Sequence, residues 1–204
     1  MHQFKPNVLF LNPSVTFYRF VKRISALNAV DINCIVLAYE RDHYPGRELP
    51  VKFTSLGTID QGAYLKRVRK FFDSVRLVRK NLRTADFLYA FGLDMAILGW
   101  VASSFFQQKP KIIYEVGDIR EIFLGSGIIS KAARWLDKFI SKRARLIVVT
   151  SSAFAKEYFQ NRLQLNNSKF FEIENKLDQG LLEKRLPSER QNSQNKLVIG
   201  YFGV

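Results

Sequence analysis

In residues 111–123 a short apolar run breaks at Gly117 and releases Asp118, Arg120 and Glu121, charges grouped closely enough to serve as a reactive or binding cluster. Ile112, Ile113, Tyr114 and Val116 are β-branched or aromatic and follow Pro110, the pattern of a short buried strand. An open parallel sheet binds its ligands beyond the carboxyl ends of its strands, so Glu115 and the charges after Gly117 fall where chemistry is expected. The other reading of the same charges is a solvated loop that caps the next helix.

Stepping the pattern outward gives the elements that must position this segment. Residues 8–11 read as a buried strand, and Asn12-Pro13-Ser14 is the turn after it, with Ser14 or Thr16 available to cap a helix carrying Phe17, Phe20, Val21, Ile24 and Leu27. Apolar runs at 32–39 and 51–56 give two more strands. The longest helical pattern, 64–83, sets Leu65, Val68, Phe71, Phe72, Val75, Val78 and Leu82 on one face. Residues 86–91 are a fourth strand, Asp94 is placed to cap a helix to about 106, and 111–116 is the fifth. Ile128, Ile129, Ala132, Trp135, Leu136, Phe139 and Ile140 mark another amphipathic helix, with its apolar face expected on the sheet. Residues 146–150 and 170–173 are strands six and seven, separated by a helix that Ser151 or Ser152 caps. So regular an alternation predicts an α/β fold: a doubly wound, Rossmann-like parallel sheet covered on both faces.

Composition removes several functions. With 204 residues and 47% hydrophobic content the chain can bury a full core without a disulfide or a metal. Its single cysteine, Cys34, sits in an apolar run, and its two histidines have no metal-ligand spacing, which argues against a metallohydrolase. Residues 87–106 are apolar apart from Asp94, yet that carboxylate and the interspersed Gly and Ser favour a strand and a buried helix over a membrane span. Gly125-Ser126-Gly127 does not directly follow a strand and lacks a third glycine, so it gives no support for a dinucleotide site. Pro187 and the Gln/Asn-rich stretch 186–196 read as a linker, after which 197–204 begins a fresh apolar strand. The expected organisation is therefore a domain over 1–185, a linker, and the first strand of a second domain.

The order of these motifs resembles the N-terminal domain of GT-B glycosyltransferases of the family 4 type, from residue 84 onward. Residues 85–94, Ala-Asp-Phe-Leu-Tyr-Ala-Phe-Gly-Leu-Asp, are similar to that family's fourth strand and helix start, and 109–118 to its fifth strand and loop. Residues 144–152 are similar to the strand and helix start that follow a basic helix there, and Glu174-Asn175-Lys176-Leu177-Asp178 resembles the family's Pro-Asn-Gly-x-Asp turn. Phe91 and Gly117 stand where family members often carry histidine. Asn12-Pro13-Ser14 replaces a glycine-rich loop. The resemblance implies an acceptor-binding domain of a retaining enzyme that moves a sugar from a nucleotide-sugar to a glycan or lipid-linked acceptor, in cell-surface polysaccharide synthesis. It implies catalytic roles for Asp118 and Glu121 and acceptor contacts from Asn12, Ser14, Phe91, Gly92, Gly117, Arg120 and Ser151. Asn175 would contribute to donor binding, no metal is implied, and this domain alone is expected to be inactive.

The net charge of +14 favours an anionic partner. Residues 64–83 carry eight basic side chains against Asp73, and 131–146 carry six against Asp137. An anionic membrane surface that presents a lipid-linked acceptor is the expected partner, met by charge adsorption of a cytoplasmic, peripheral protein. The rival is a basic nucleic-acid-binding or non-catalytic α/β module. No helix-turn-helix, zinc-finger or RNA-binding signature supports it. Oligomeric state has no signature in the sequence.

Overall fold

The computed structural model describes residues 5–15, 17–40, 52–58, 64–166 and 169–174. Seven strands form one sheet: β1 (Asn7–Asn12), β2 (Asn33–Glu40), β3 (Phe53–Thr58), β4 (Phe87–Phe91), β5 (Lys111–Val116), β6 (Leu146–Val149) and β7 (Phe170–Glu172). Their order is β3-β2-β1-β4-β5-β6-β7, and every neighbouring pair is parallel. The helices are α1 (Tyr18–Ala29), α2 (Tyr64–Leu82), α3 (Leu93–Ser103), a single turn α4 (Glu121–Leu124), α5 (Ile128–Arg143) and α6 (Phe154–Arg162), the last wound as a π-helix. The expected doubly wound α/β fold is thus present. The linker at 186–196 and the strand at 197–204 lie outside the described residues.

The reversal of strand order between β1 and β4 decides which face each helix covers. Right-handed crossovers that step one way from β1 and the other way from β4 must lie on opposite faces. Alternation along β1 shows the consequence. Val8 and Phe10 join Phe20 and Ile24 of α1, with Val36 and Tyr89, in a small core on one side. Leu9 and Leu11 join residues of α2, α3, α5 and α6 in a larger core on the other.

Several local expectations are corrected. The residue before α1 is Phe17, in an extended conformation and with no side-chain cap of its own, and Thr16 lies outside the described residues. Gly92, at φ +88°, precedes α3, a backbone setting that an L side chain rarely adopts. Asp94 instead sits inside the first turn, where its Oδ1 accepts the Met95 N–H at 3.1 Å. Phe72 is exposed while Phe71 packs against the core, because consecutive helix positions point about 100° apart. Residues 87–106 form a strand and a helix, as expected, and among the described residues no helix is long and apolar enough to cross a membrane.

The largest correction concerns α5. Its buried residues are Asp137, Ile140 and Ser141, whereas Ile128 (86% exposed), Ile129 (75%) and Trp135 (63%) face solvent. Positions 137, 140 and 141 share one helix face, so the packed stripe mixes Asp137 and Ser141 with the core residue Ile140, and Phe139 packs beside it. Three donors make this tolerable: Tyr114 OH reaches Asp137 Oδ1 at 3.0 Å, Tyr158 OH reaches Oδ2 at 2.6 Å, and Ser141 Oγ reaches Oδ1 at 3.5 Å. Burial pushes the Asp137 carboxyl above its ordinary range, and these hydrogen bonds offset part of that rise. The same carboxylate ties α5 to β5 and α6.

Candidate functional site

Parallel strands bring all their carboxyl ends to one edge, and the point where the order reverses, between β1 and β4, opens a crevice there. Side-chain alternation sends Asn12, Phe91 and Gly117 toward the α1 face, each lying two residues beyond Phe10, Tyr89 and Glu115 respectively. Helix α1 runs back antiparallel to β1, so its start stands over the same edge. Phe17 stacks on Phe91 with ring centroids 5.8 Å apart, and the Arg19 guanidinium lies 5.7 Å from the Phe91 ring centre. A β-carbon added at Gly117 would lie 2.0 Å from Arg19 Nη1 and 3.3 Å from Phe91 Cζ, so the glycine leaves the notch that the guanidinium fills. The Gly117 carbonyl accepts Thr150 Oγ1 at 3.2 Å, and the Gly92 N–H donates to the Glu115 carbonyl at 2.9 Å.

Electrostatically the crevice is unbalanced. Glu115 is fully buried, accepts Tyr89 OH, and pairs with Arg23 Nη2 at 3.4 Å. Desolvation, followed by the Glu115 charge, pushes the Tyr89 phenol well above its ordinary range, so it stays a neutral donor. Glu115 is thereby committed to holding α1 against the sheet. Arg19 has no ion pair among the described residues. Arg19 Nε, Arg23 Nε and Asn12 Oδ1 are all buried without a hydrogen-bond partner. A buried polar group of this kind gains by meeting a partner, which a bound ligand can supply.

The structure brings together Asn12, Ser14, Phe91, Gly92, Gly117 and Ser151 at this edge. Asn12 Nδ2 donates to the Ser14 carbonyl, both residues are buried, and the Val15 N–H fixes their turn to the Tyr39 carbonyl at 3.1 Å. Ser151 Oγ accepts the Ala153 N–H at 3.2 Å, the expected cap of the helical turn that leads into α6. Asp118 follows Gly117 and is exposed. Arg120 precedes α4 and Glu121 begins it, and both are exposed. Asn175 lies outside the described residues.

Arg19 and Arg23 are the functional candidates that motif reading passed over. They stand four residues apart among Phe20 and Ile24, so helical geometry turns both toward the sheet. Two arginines inside an apolar helix stripe were the available signal. A second feature borders the site. Because α5 starts at the carboxyl edge, its exposed Ile128 and Ile129, with Ile122 and Leu124 of α4, form an apolar rim there, and Lys131 and Trp135 continue the Ile128 face. Arg134 Nη1 holds α4 in place through the Phe123 and Gly125 carbonyls.

No protein-family profile matches the chain. A curated relative, the succinoglycan biosynthesis protein ExoL of Rhizobium meliloti, is 27% identical over 156 residues, 73% of this chain. The chain spans 38% of that relative's length. Among solved structures, Anabaena HepE in complex with UDP and glucose matches with a TM-score of 0.53 at 17% identity, over 86% of this chain and 46% of that one. The lipopolysaccharide outer core galactosyltransferase WaaB matches with a TM-score of 0.55 at 10% identity, covering 84% and 46%. Sucrose-phosphate synthase from Thermosynechococcus elongatus matches with a TM-score of 0.57 at 12% identity, covering 90% and 53%. The seven-stranded parallel sheet with its switch-point crevice is therefore the Rossmann-like fold found in about half the length of these GT-B glycosyltransferases.

Proposed function

We propose that the chain is the acceptor-side domain of a glycosyltransferase that moves a sugar from a nucleotide-sugar to a glycan or lipid-linked acceptor in polysaccharide synthesis. The carrying observation is the crevice at the β1–β4 switch point, with its aromatic wall of Phe17 and Phe91 and its unpaired hydrogen-bonding groups, on a sheet shared with sugar transferases. Stacked aromatic faces suit the apolar faces of sugar rings, and the spare donors and acceptor suit hydroxyls and oxyanions. The donor would be held by the part of the protein that corresponds to the remaining length of its relatives. Catalysis in such an arrangement comes from positioning and electrostatics in a closed cleft, with Asp118 and Glu121 as the exposed carboxylates of the acceptor side. The experiment is transfer of label from a panel of nucleotide-sugars into a lipid extract by the full-length protein. Labelled product supports the reading, and binding of RNA or DNA with no transfer to any acceptor overturns it.

The rim of α4 and α5 supports an acceptor presented at a membrane surface. Charge alone would give adsorption, but exposed Ile128, Ile129 and Trp135 flanked by Lys131 offer an amphipathic surface to an anionic membrane. Each basic residue near such a surface contributes about 1 kcal/mol before screening. Binding to anionic vesicles that falls sharply in Ile128→Glu/Ile129→Glu supports this face. Unchanged binding in that variant assigns adsorption to charge elsewhere, such as Lys66, Arg67 and Arg69, whose side chains lie outside the described set.

A further inference from the structure

We infer that Arg19 is an oxyanion-binding residue of the crevice, reading a phosphate or carboxylate group carried by the acceptor; this rests on the acceptor-side reading above. Three observations converge on it. First, the Arg19 guanidinium is positioned rather than loose: it lies over the Phe91 ring and its Nη1 occupies the notch left by Gly117. A ring face and a missing side chain hold a planar fork at the carboxyl edge, the place where a parallel sheet takes its ligands. Second, this fork has no carboxylate among the described residues, although Arg23, one turn along the same helix, has Glu115. Among the described residues no acid pairs with this cation, and the buried carboxylate of the crevice, Glu115, is committed to Arg23 and Tyr89. Third, the fully buried Asn12, next to Phe91 across the β1–β4 pair, has an Oδ1 with no donor. A cationic fork beside an empty acceptor matches a group that presents an oxyanion and a hydroxyl close together. Sugar phosphates and sugar acids both do.

Arginine offers two parallel donors to an oxyanion where lysine offers a point charge, so the two should be distinguishable.

The test is calorimetric titration of the whole protein with two probes, inorganic phosphate and glucuronate, without any donor. Saturable binding of one of them is expected, with a Kd on the order of 1 mM. In Arg19→Gln that affinity should drop about tenfold or more and in Arg19→Lys by an intermediate factor, with melting temperatures that show both variants folded. A Lys109→Gln/Lys111→Gln control should bind as the parent does. Saturation by phosphate alone assigns the acceptor's phosphate, and saturation by glucuronate alone assigns an acidic sugar. Failure of both probes to bind, affinity unchanged in Arg19→Gln, or equal loss in the control overturns the proposal. Because no sugar transfer is measured, such a failure leaves the transferase reading to its own assay, and failure of transfer leaves the anion site standing.

Discussion

At the amino edge of the sheet, Lys109, Lys111, Arg143, Arg145 and Lys169 line an open cavity of about 430 Å³ beside Trp100, whereas the carboxyl-edge crevice has Arg19 and Arg23 near its floor among the described residues. Counting charge would choose the amino edge. Hydrogen bonding chooses the other. Lys169 Nζ donates to the carbonyls of Lys142 and Ala144 at 2.9 and 3.2 Å, closing the end of α5, and Arg143 donates to the Phe139 carbonyl and stacks 3.4 Å from that ring's centre. Those cations are occupied with the end of a helix, where they also complement its dipole. At the carboxyl edge the arginines keep buried N–H groups with no acceptor. The difference teaches that commitment of donors, and not density of charge, separates a binding floor from a solvated basic surface.

The sharpest way to break this comparison is to fill the notch. Gly117→Val places carbon where Arg19 Nη1 now lies, and since the guanidinium is the free end of a flexible side chain it can swing away at little cost to folding. Transfer by the full-length enzyme should fall about 100-fold in kcat/KM, the effect of misplacing a binding group by an ångström or more, with the melting temperature nearly unchanged. Next in size is Asp137→Leu, which strips the acceptor from two buried tyrosine hydroxyls and should cost about 2–4 kcal/mol in urea unfolding while leaving both edges chemically intact. The pH dependence fixes its sign. The native Asp137 carboxyl binds its proton more tightly than the 3.8 of the unfolded group, so its contribution to stability is full below that pH and is lost as pH rises through the raised value. Urea midpoints of the parent, relative to Asp137→Asn, should therefore decline as pH increases from 3.8. Asp118→Ala is the smallest expected effect, about tenfold in kcat with unchanged stability. Unaltered kinetics would return Asp118 to the solvated loop.

Much of this was legible in the residues, and what was not has a physical reason. Continuous apolar runs such as Val8 to Leu11 and the regular β/α order carried the parallel sheet, because a strand buried on both faces needs no polar alternation. The turn at Asn12-Pro13-Ser14 and the break at Gly117 marked the carboxyl edge correctly. Apolar periodicity held for Phe139 and Ile140 of α5 and failed for Ile128, Ile129 and Trp135, since it assumes that every apolar position of a stripe is packed. Hydroxyl donors from Tyr114, Tyr158 and Ser141 let Asp137 be buried on the packed face, and the two tyrosines lie more than 20 residues away in the chain. Arg19 escaped notice for a related reason. Its meaning depends on the absence of a side chain at Gly117, almost 100 residues away, and on Glu115 being committed to Arg23.

If the carboxyl-edge crevice is the working site, kcat/KM for sugar transfer by the full-length enzyme should separate Gly117→Val from Lys109→Gln/Lys111→Gln. A loss of about 100-fold is expected in the first and less than twofold in the second. Transfer retained in Gly117→Val and lost in the amino-edge variant would contradict it.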